Sequence, residues 1–257
     1  MKNTKIENYT VYNEGMRKSL LDKIFFVDKI NVDTIVDYGC ADGILISFLS
    51  KLFPEYNYIG YDIDEGMIKL AKQNNKQNNC FFSSDWELIK EKVDSDNTAV
   101  LLSSVVHEVY AYGTKRDVMD MWSRVYGGFK YVIIRDMIPS VSINKRSDIN
   151  DVMNIIKKSD SGRLREFERL FGSVEENKNL IHFLLKYRYI DNWSREVREN
   201  YFPLFREELL ASIPDGFNIQ FHEHFILPYV KNKIREDFDI SIKDNTHLKL
   251  ILERKIK

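Results

Sequence analysis

Eight residues, VDYGCADG from Val36 to Gly43, put an acid inside the end of an apolar run and then small residues at alternate positions, Gly39, Ala41 and Gly43. Small side chains after a strand let the backbone turn sharply and let a ligand lie against it. The dinucleotide fingerprint GxGxxG places its last glycine one residue later, because there a helix N-terminus must meet a pyrophosphate. The spacing G-x-A-x-G departs from that pattern. Asp37 would also sit badly beside pyrophosphate, whereas an acid before the turn suits a ligand with a cationic group. A short way on, YIGYDID repeats the change from apolar run to acid, at Asp62. Together the two stretches point to a nucleoside-bearing cofactor held where two parallel strands end.

Further groups that could do chemistry follow in order. SSVVHEVY carries His107 and Glu108, and KYVIIRDM carries Arg135 and Asp136. An imidazole can accept a proton near neutral pH, so His107 is a candidate general base toward a hydroxyl, carboxyl or activated nitrogen. The plainer alternatives are that His107 orients its loop, or that Glu108 alone matters by binding a substrate amine. IHFLLKYRYIDNW gathers His182, Lys186, Tyr187, Arg188, Tyr189 and Trp193. Aromatics interleaved with bases can stack on a planar ring and pair with phosphate, which makes His182, Tyr187 and Arg188 candidate substrate contacts. The same spacing also reads as the buried stripe of an amphipathic helix, the commoner case. In HEH, His222 and His224 share one face of a strand, but no cysteine or carboxylate cluster completes a metal site, and none is expected.

These residues need elements to position them. TIVDYG followed by ILISFLSKLF reads as strand, tight turn and helix. The unit recurs as YNYIGYDID with EGMIKLAKQNN, as NCFFSSD with WELIKEKV, and as TAVLLSSVV with a helix from about Thr114 to Tyr126; KYVIIRDM is a fifth strand. Alternating strands and helices imply a doubly wound, mostly parallel sheet, whose ligands bind at the carboxyl ends of the strands. Those ends carry Asp37, Asp62, Asp85, His107 with Glu108, and Arg135 with Asp136. Ahead of the first strand, apolar residues from Tyr12 to Ile30 recur at helical spacing, leaving Tyr12 available to touch substrate. From Ser140 to about Asp215 the rhythm gives way to helical segments, read as an insertion over the mouth. FNIQFHEHFIL and HLKLILERK restore strand character. The implied organisation is a cofactor-binding core over 1–139, a helical insertion over 140–215 and closing strands over 216–257.

Composition narrows the partners. The 257 residues include 38 Lys and Arg against 39 Asp and Glu, so no overall charge favours long duplex DNA. Two cysteines make no disulfide framework, and MKNTKIENYT lacks the basic-then-apolar pattern of a signal peptide; a cytoplasmic location is expected. No apolar run approaches the roughly 20 residues of a membrane span.

DYGCADG resembles the first motif of class I S-adenosylmethionine-dependent methyltransferases, with alanine at the middle glycine. The resemblance runs as ordered motifs from about Ile35 to Met137. It implies a seven-stranded sheet with the last strand antiparallel, S-adenosylmethionine as cofactor and S-adenosylhomocysteine as product. It further implies that Asp37, Gly39, Ala41, Asp42 and Gly43 hold the methionine part, with Ser103 nearby, and that Asp62 and Ile63 meet the ribose. Asp85 and Trp86 resemble the motif that meets the adenine amino group and flanks the ring. His107 and Glu108 fall where this fold brings the methyl group to the acceptor, and Arg135 and Asp136 would face that acceptor. The [DN]PP[YF] tetrapeptide of base-modifying amino methyltransferases is missing, and neither Cys40 nor Cys80 stands where cytosine C5 enzymes keep their nucleophile. A small-molecule, nucleotide-like or RNA-end acceptor is therefore expected, methylated on oxygen rather than carbon. The rival readings are a catalytically silent cofactor-binding subunit, or a nicotinamide-dependent oxidoreductase that the glycine spacing disfavours.

Overall fold

The computed structural model describes residues 19–255. Its sheet has seven strands in the order β3-β2-β1-β4-β5-β7-β6, with β1 Thr34–Tyr38, β2 Asn57–Tyr61, β3 Cys80–Ser83, β4 Thr98–Ser103, β5 Tyr131–Asp136, β6 Phe217–Phe225 and β7 His247–Arg254. β1 to β5 run parallel. The chain winds outward from β1 through β2 to β3, then crosses to the other side of β1 to lay down β4 and β5. That reversal puts the switch point of the sheet between β1 and β4, and ligands of such sheets bind outside the carboxyl ends of the strands at that point. The register sets Asp37 opposite Gly60 on one side and Leu101 on the other.

The two contact-defined units of the chain are best taken separately. The first comprises, among the described residues, 19–136, 213–223 and 249–255. Its central strands are covered on both faces, so they are written as unbroken apolar runs: Ala99 to Leu102 and Val132 to Ile134 are fully buried. Three of the crossover helices open on a side-chain cap. Asp64 accepts from the N–H groups of Gly66 and Met67 ahead of the helix Glu65–Asn74, and Asp85 from that of Glu87 ahead of Trp86–Lys90. Thr114 and Asp117 form a reciprocal capping box for the helix Lys115–Gly128.

Two local expectations change. The helix read over Tyr12 to Ile30 is helical only over Leu20–Lys23 among the described residues. The chain then proceeds by turns closed by Val27 N–H to Ile24 O and Lys29 N–H to Phe26 O, which bury Phe26 and Ile30 without helical periodicity. Tyr12 lies outside the described residues. The fourth strand stops at Ser103, and a separate helix, Val106–Tyr112, carries His107 and Glu108 in its first turn.

The second unit comprises, among the described residues, 137–212 and 224–248. It holds the helices Ile149–Lys158, Ser161–Phe171, Asn177–Tyr187 and Pro228–Phe238 around a core that includes Phe167, Phe183, Leu184 and Phe202. Asn177–Tyr187 is buried on most of its surface, from Leu180 to Lys186. No described helix of the chain is long and apolar enough to cross a membrane.

Gly60, in β2, has no room for a side chain. A Cβ there would stand 2.4 Å from Phe82 Cδ1 and 2.8 Å from Cys40 Sγ. Gly60→Ala should destabilise the protein by about 1–3 kcal/mol through overpacking. Thermal unfolding would read this as a lowered Tm, and an unchanged Tm would contradict the packing described.

Candidate functional site

The turn after β1 is built from left-handed residues. Gly39, Ala41 and Gly43 have φ of 83°, 47° and 74°. Glycine is required at two of them for space as well as conformation: a Cβ on Gly39 would lie 2.5 Å from Val105 Cγ2, and one on Gly43 2.7 Å from Asn75 Nδ2. Ala41 adopts the same region at a cost of roughly 1 kcal/mol, and Asp62 holds it there. One oxygen of the Asp62 carboxylate accepts the Ala41 N–H at 2.9 Å and the other accepts the Asp64 N–H at 2.9 Å. The N–H groups of Gly39 and Cys40 both donate to the Tyr61 carbonyl. The β1 turn is thus laced to the end of β2, and the helix Ile44–Leu52 starts directly from Gly43. Asp42 accepts weakly from Ile44 N–H at 3.3 Å, and Ile63 is exposed.

Beneath this turn lies a set of buried charges. Asp37 is 3% exposed, and loss of water pushes its carboxyl up to about 7; Lys23 opposes that shift and Asp62 adds to it. Lys23 is itself buried and is brought down to about 8 by burial and by Arg135, against the pull of Asp37, Asp136 and Asp22. Arg135 donates from Nε to Asp22 at 2.8 Å and pairs with it again through its second terminal nitrogen at 2.7 Å. Lys249 reaches the same carboxylate at 2.7 Å. Lys23, Asp22 and Lys249 were not singled out from the sequence. A buried lysine at the end of a four-residue helix leaves no periodic signal.

His107 and Asp136 form a dyad. His107 Nδ1 stands 2.5 Å from Asp136 Oδ1, and the other oxygen accepts the N–H of Val106 at 2.7 Å, both side chains being buried. A carboxylate facing Nδ1 fixes the tautomer with the proton on Nδ1, which makes Nε2 the basic nitrogen. Ser104, between β4 and this helix, has φ of 60° and takes a hydrogen bond from Arg135 at 3.2 Å. That left-handed serine marks strain at the switch point. The Ser103 hydroxyl, at the end of β4, is buried without a hydrogen-bond partner among the described residues.

Other expected contacts are placed differently. Arg135 and Asp136 are buried and already engaged, so they hold Asp22 and His107 rather than face an acceptor. Trp86 is buried against Tyr38, Tyr61 and Phe129, with Arg124 over its ring. Asp85 is exposed and caps its helix. In the helical unit, His182 is 1% exposed, ringed by Phe167, Phe171, Tyr201 and Phe202, and accepts the Tyr201 N–H. Burial and the neighbouring Lys186 hold it neutral, well below the usual histidine range. Lys186 donates to the carbonyls of Glu196 and Glu199. Tyr187 accepts from the Asp160 N–H, and Arg188 donates to the Tyr229 hydroxyl. The stretch is core and scaffold, because its aromatics face inward on a helix buried on most sides. His222 is exposed on β6, while in the helical unit His224 meets Arg206 at 3.5 Å and His247 meets the Thr246 hydroxyl at 2.8 Å.

The small-residue turn, the buried acid under it and the orphaned Ser103 hydroxyl fit a ligand that brings a cation and polar groups to the ends of β1 and β4. A family model described as a methyltransferase domain matches residues 35–126. A putative methyltransferase, 235L, from Invertebrate iridescent virus 6 is 32% identical over 69 residues, covering 26% of each chain. The uncharacterized protein MJ0906 of Methanocaldococcus jannaschii is 26% identical over 140 residues, covering 52% of this chain and 37% of its own. The matches thus span between about a quarter and two fifths of the curated relatives' lengths. An S-adenosylmethionine-dependent methyltransferase from Anabaena variabilis has the same fold at a TM-score of 0.51, with 11% identity over 99% of both chains.

The raised Asp37 carboxyl has a consequence for stability. Folded protein keeps that proton up to about 7, whereas the unfolded chain releases it near the ordinary aspartate value of 3.8. Between those values the folded state binds more protons, so this group's contribution to stability falls as pH rises. Asp37→Asn should remove the fall, and the difference in Tm between variant and native protein should shift in favour of the variant from pH 4 to pH 7. A difference that stays constant over that range would contradict the desolvated acid.

Proposed function

We propose that the chain is a methyltransferase of class I type that transfers a methyl group from S-adenosylmethionine to the oxygen of a small acceptor, with His107 as the base; the support is a methyltransferase-domain match over residues 35–126 and the shared fold. The cofactor supplies an electrophilic methyl group on a sulfonium. Asp37 and the turn Gly39–Gly43 are suited to its cationic amino-acid end, Asp62 to the ribose and exposed Asp85 to the adenine.

The observation that carries the catalytic reading is the His107–Asp136 dyad at 2.5 Å. Methyl transfer from a sulfonium needs mainly that the nucleophile be held in line, and a base is needed when the acceptor would otherwise keep its proton. Asp136 orients the imidazole and would stabilise the imidazolium, while Nε2 takes the acceptor's proton. Its own geometry is fixed twice, by the Val106 N–H and by β5. A hydroxyl acceptor, which keeps its proton near neutral pH, uses this arrangement fully, whereas a carboxylate, already ionised, needs no base.

Purified protein should form S-adenosylhomocysteine when given S-adenosylmethionine and a panel of phenolic, alcoholic, carboxylic and nucleotide-like compounds. His107→Ala should lower turnover on the best acceptor by about 100-fold or more, and Asp136→Asn by a comparable order, with S-adenosylhomocysteine affinity kept in both. Unchanged turnover in His107→Ala would remove the base from the mechanism. No turnover on any acceptor, with cofactor binding intact, would favour a silent cofactor-binding subunit.

A further inference from the structure

We propose that the helix Ile149–Lys158 is the contact surface for a second copy of this chain, the two copies packing this helix antiparallel about a two-fold axis near Met153.

The helix is apolar around more of its circumference than its own unit buries. Val152 and Ile155 sit in the core of the helical unit, and Asn154 donates to the Asp239 carbonyl at 3.4 Å, so the element is anchored. Yet Ile149, Met153 and Ile156 are 67%, 58% and 55% exposed. A spacing of four and then three residues lines them up along one face. That is the spacing of the seam by which two helices pack against each other. Single exposed aliphatic side chains are ordinary, and elsewhere the described helices show them singly, as with Leu52, Leu70, Leu88, Met119 and Leu170. Three in a line on one helix of 10 residues make a continuous apolar patch of a few hundred Å², the size at which a patch marks an interaction site.

Charge identifies the occupant. Asp148 caps the N-terminal end with Asp151 in the first turn, whereas Lys157 and Lys158 occupy the last turn. Asp148, Lys157 and Lys158 are exposed. A helix that is acidic at one end and basic at the other complements a copy of itself run in the opposite direction. Asp148 of each chain then meets the end carrying Lys157 and Lys158 of the other, Ile149 of each lies beside Ile156 of the other, and the two Met153 side chains touch at the axis. A closed two-fold contact requires this kind of self-complementarity, because one patch must serve as both surfaces. Parallel packing would bring like charges together at both ends. The patch is smaller than the roughly 800 Å² per partner of a stable complex, so the dimer exchanges with monomer at micromolar concentration.

Sedimentation equilibrium of the full chain from about 5 to about 500 µM should fit a monomer–dimer equilibrium with a Kd of about 1–100 µM. Met153→Glu sets two carboxylates against each other at the axis and should raise that Kd by at least about tenfold. The double variant Lys157→Glu with Lys158→Glu puts acid against acid at both ends and should raise it by about threefold or more, an effect that shrinks at high salt. A photo-reactive benzophenone attached to Met153→Cys should cross-link to the same helix of a second copy, read by mass spectrometry on mixed isotope-labelled and unlabelled protein. Monomer throughout the concentration range would overturn the proposal. So would a dimer whose Kd is unmoved by Met153→Glu, since the copies would then meet elsewhere. A cross-link from position 153 to its own chain, residues 1–18 included, would overturn it as well. Should Met153→Glu fail to fold, the lysine double variant and the cross-link decide.

Discussion

The carboxylate of Asp62 is the fastening on which the site depends. By accepting one N–H from Ala41 and one from Asp64 it ties the turn after β1 to the turn after β2, 21 and 2 residues away in sequence. Those two turns are parallel neighbours in the sheet, so the link crosses the strand ends at the place where a ligand of a doubly wound sheet lies. The link also explains how alanine is tolerated at φ of 47°, where glycine would be free of strain. A residue that must keep an unfavourable backbone conformation needs its amide held, and Asp62 holds it.

On the other side of β1 the constraint is desolvation. Lys23, Asp37, Arg135 and Asp136 are all nearly inaccessible at the carboxyl edge of the sheet. Burying that many charges is unfavourable unless each is answered by another group or by a ligand. Arg135 is answered by Asp22 and Asp136 by the His107 ring and the Val106 amide. The same pairing that keeps the edge stable therefore orients the imidazole, so the geometry of His107 and the stability of the edge share one set of contacts.

The rhythm of strands and helices was legible because buried parallel strands must be written as apolar runs and three of the crossover helices open on a cap, Asp64, Asp85 or Thr114. The glycine turn and Asp62 were legible because left-handed backbone and close approach restrict residue type. What escaped the sequence was pairing at a distance. Nothing near Asp136 announces His107, 29 positions away, and nothing near Asp22 announces Arg135, 113 away. Trp86 qualifies on sequence as a ligand contact, and His182 as either a ligand contact or part of a buried stripe, because an aromatic after a strand and an imidazole among basic residues look alike whether they face a ligand or a core. Burial, which decides between those roles, follows from packing among segments far apart in the chain.

The most direct test is a crystal structure of the protein grown with S-adenosylhomocysteine. The account predicts the ligand outside the ends of β1 and β4, with its ribose hydroxyls within hydrogen-bond reach of Asp62 and its amino-acid end against the turn Gly39–Gly43. A ligand bound elsewhere, or a site that stays empty at saturating concentration, would contradict it.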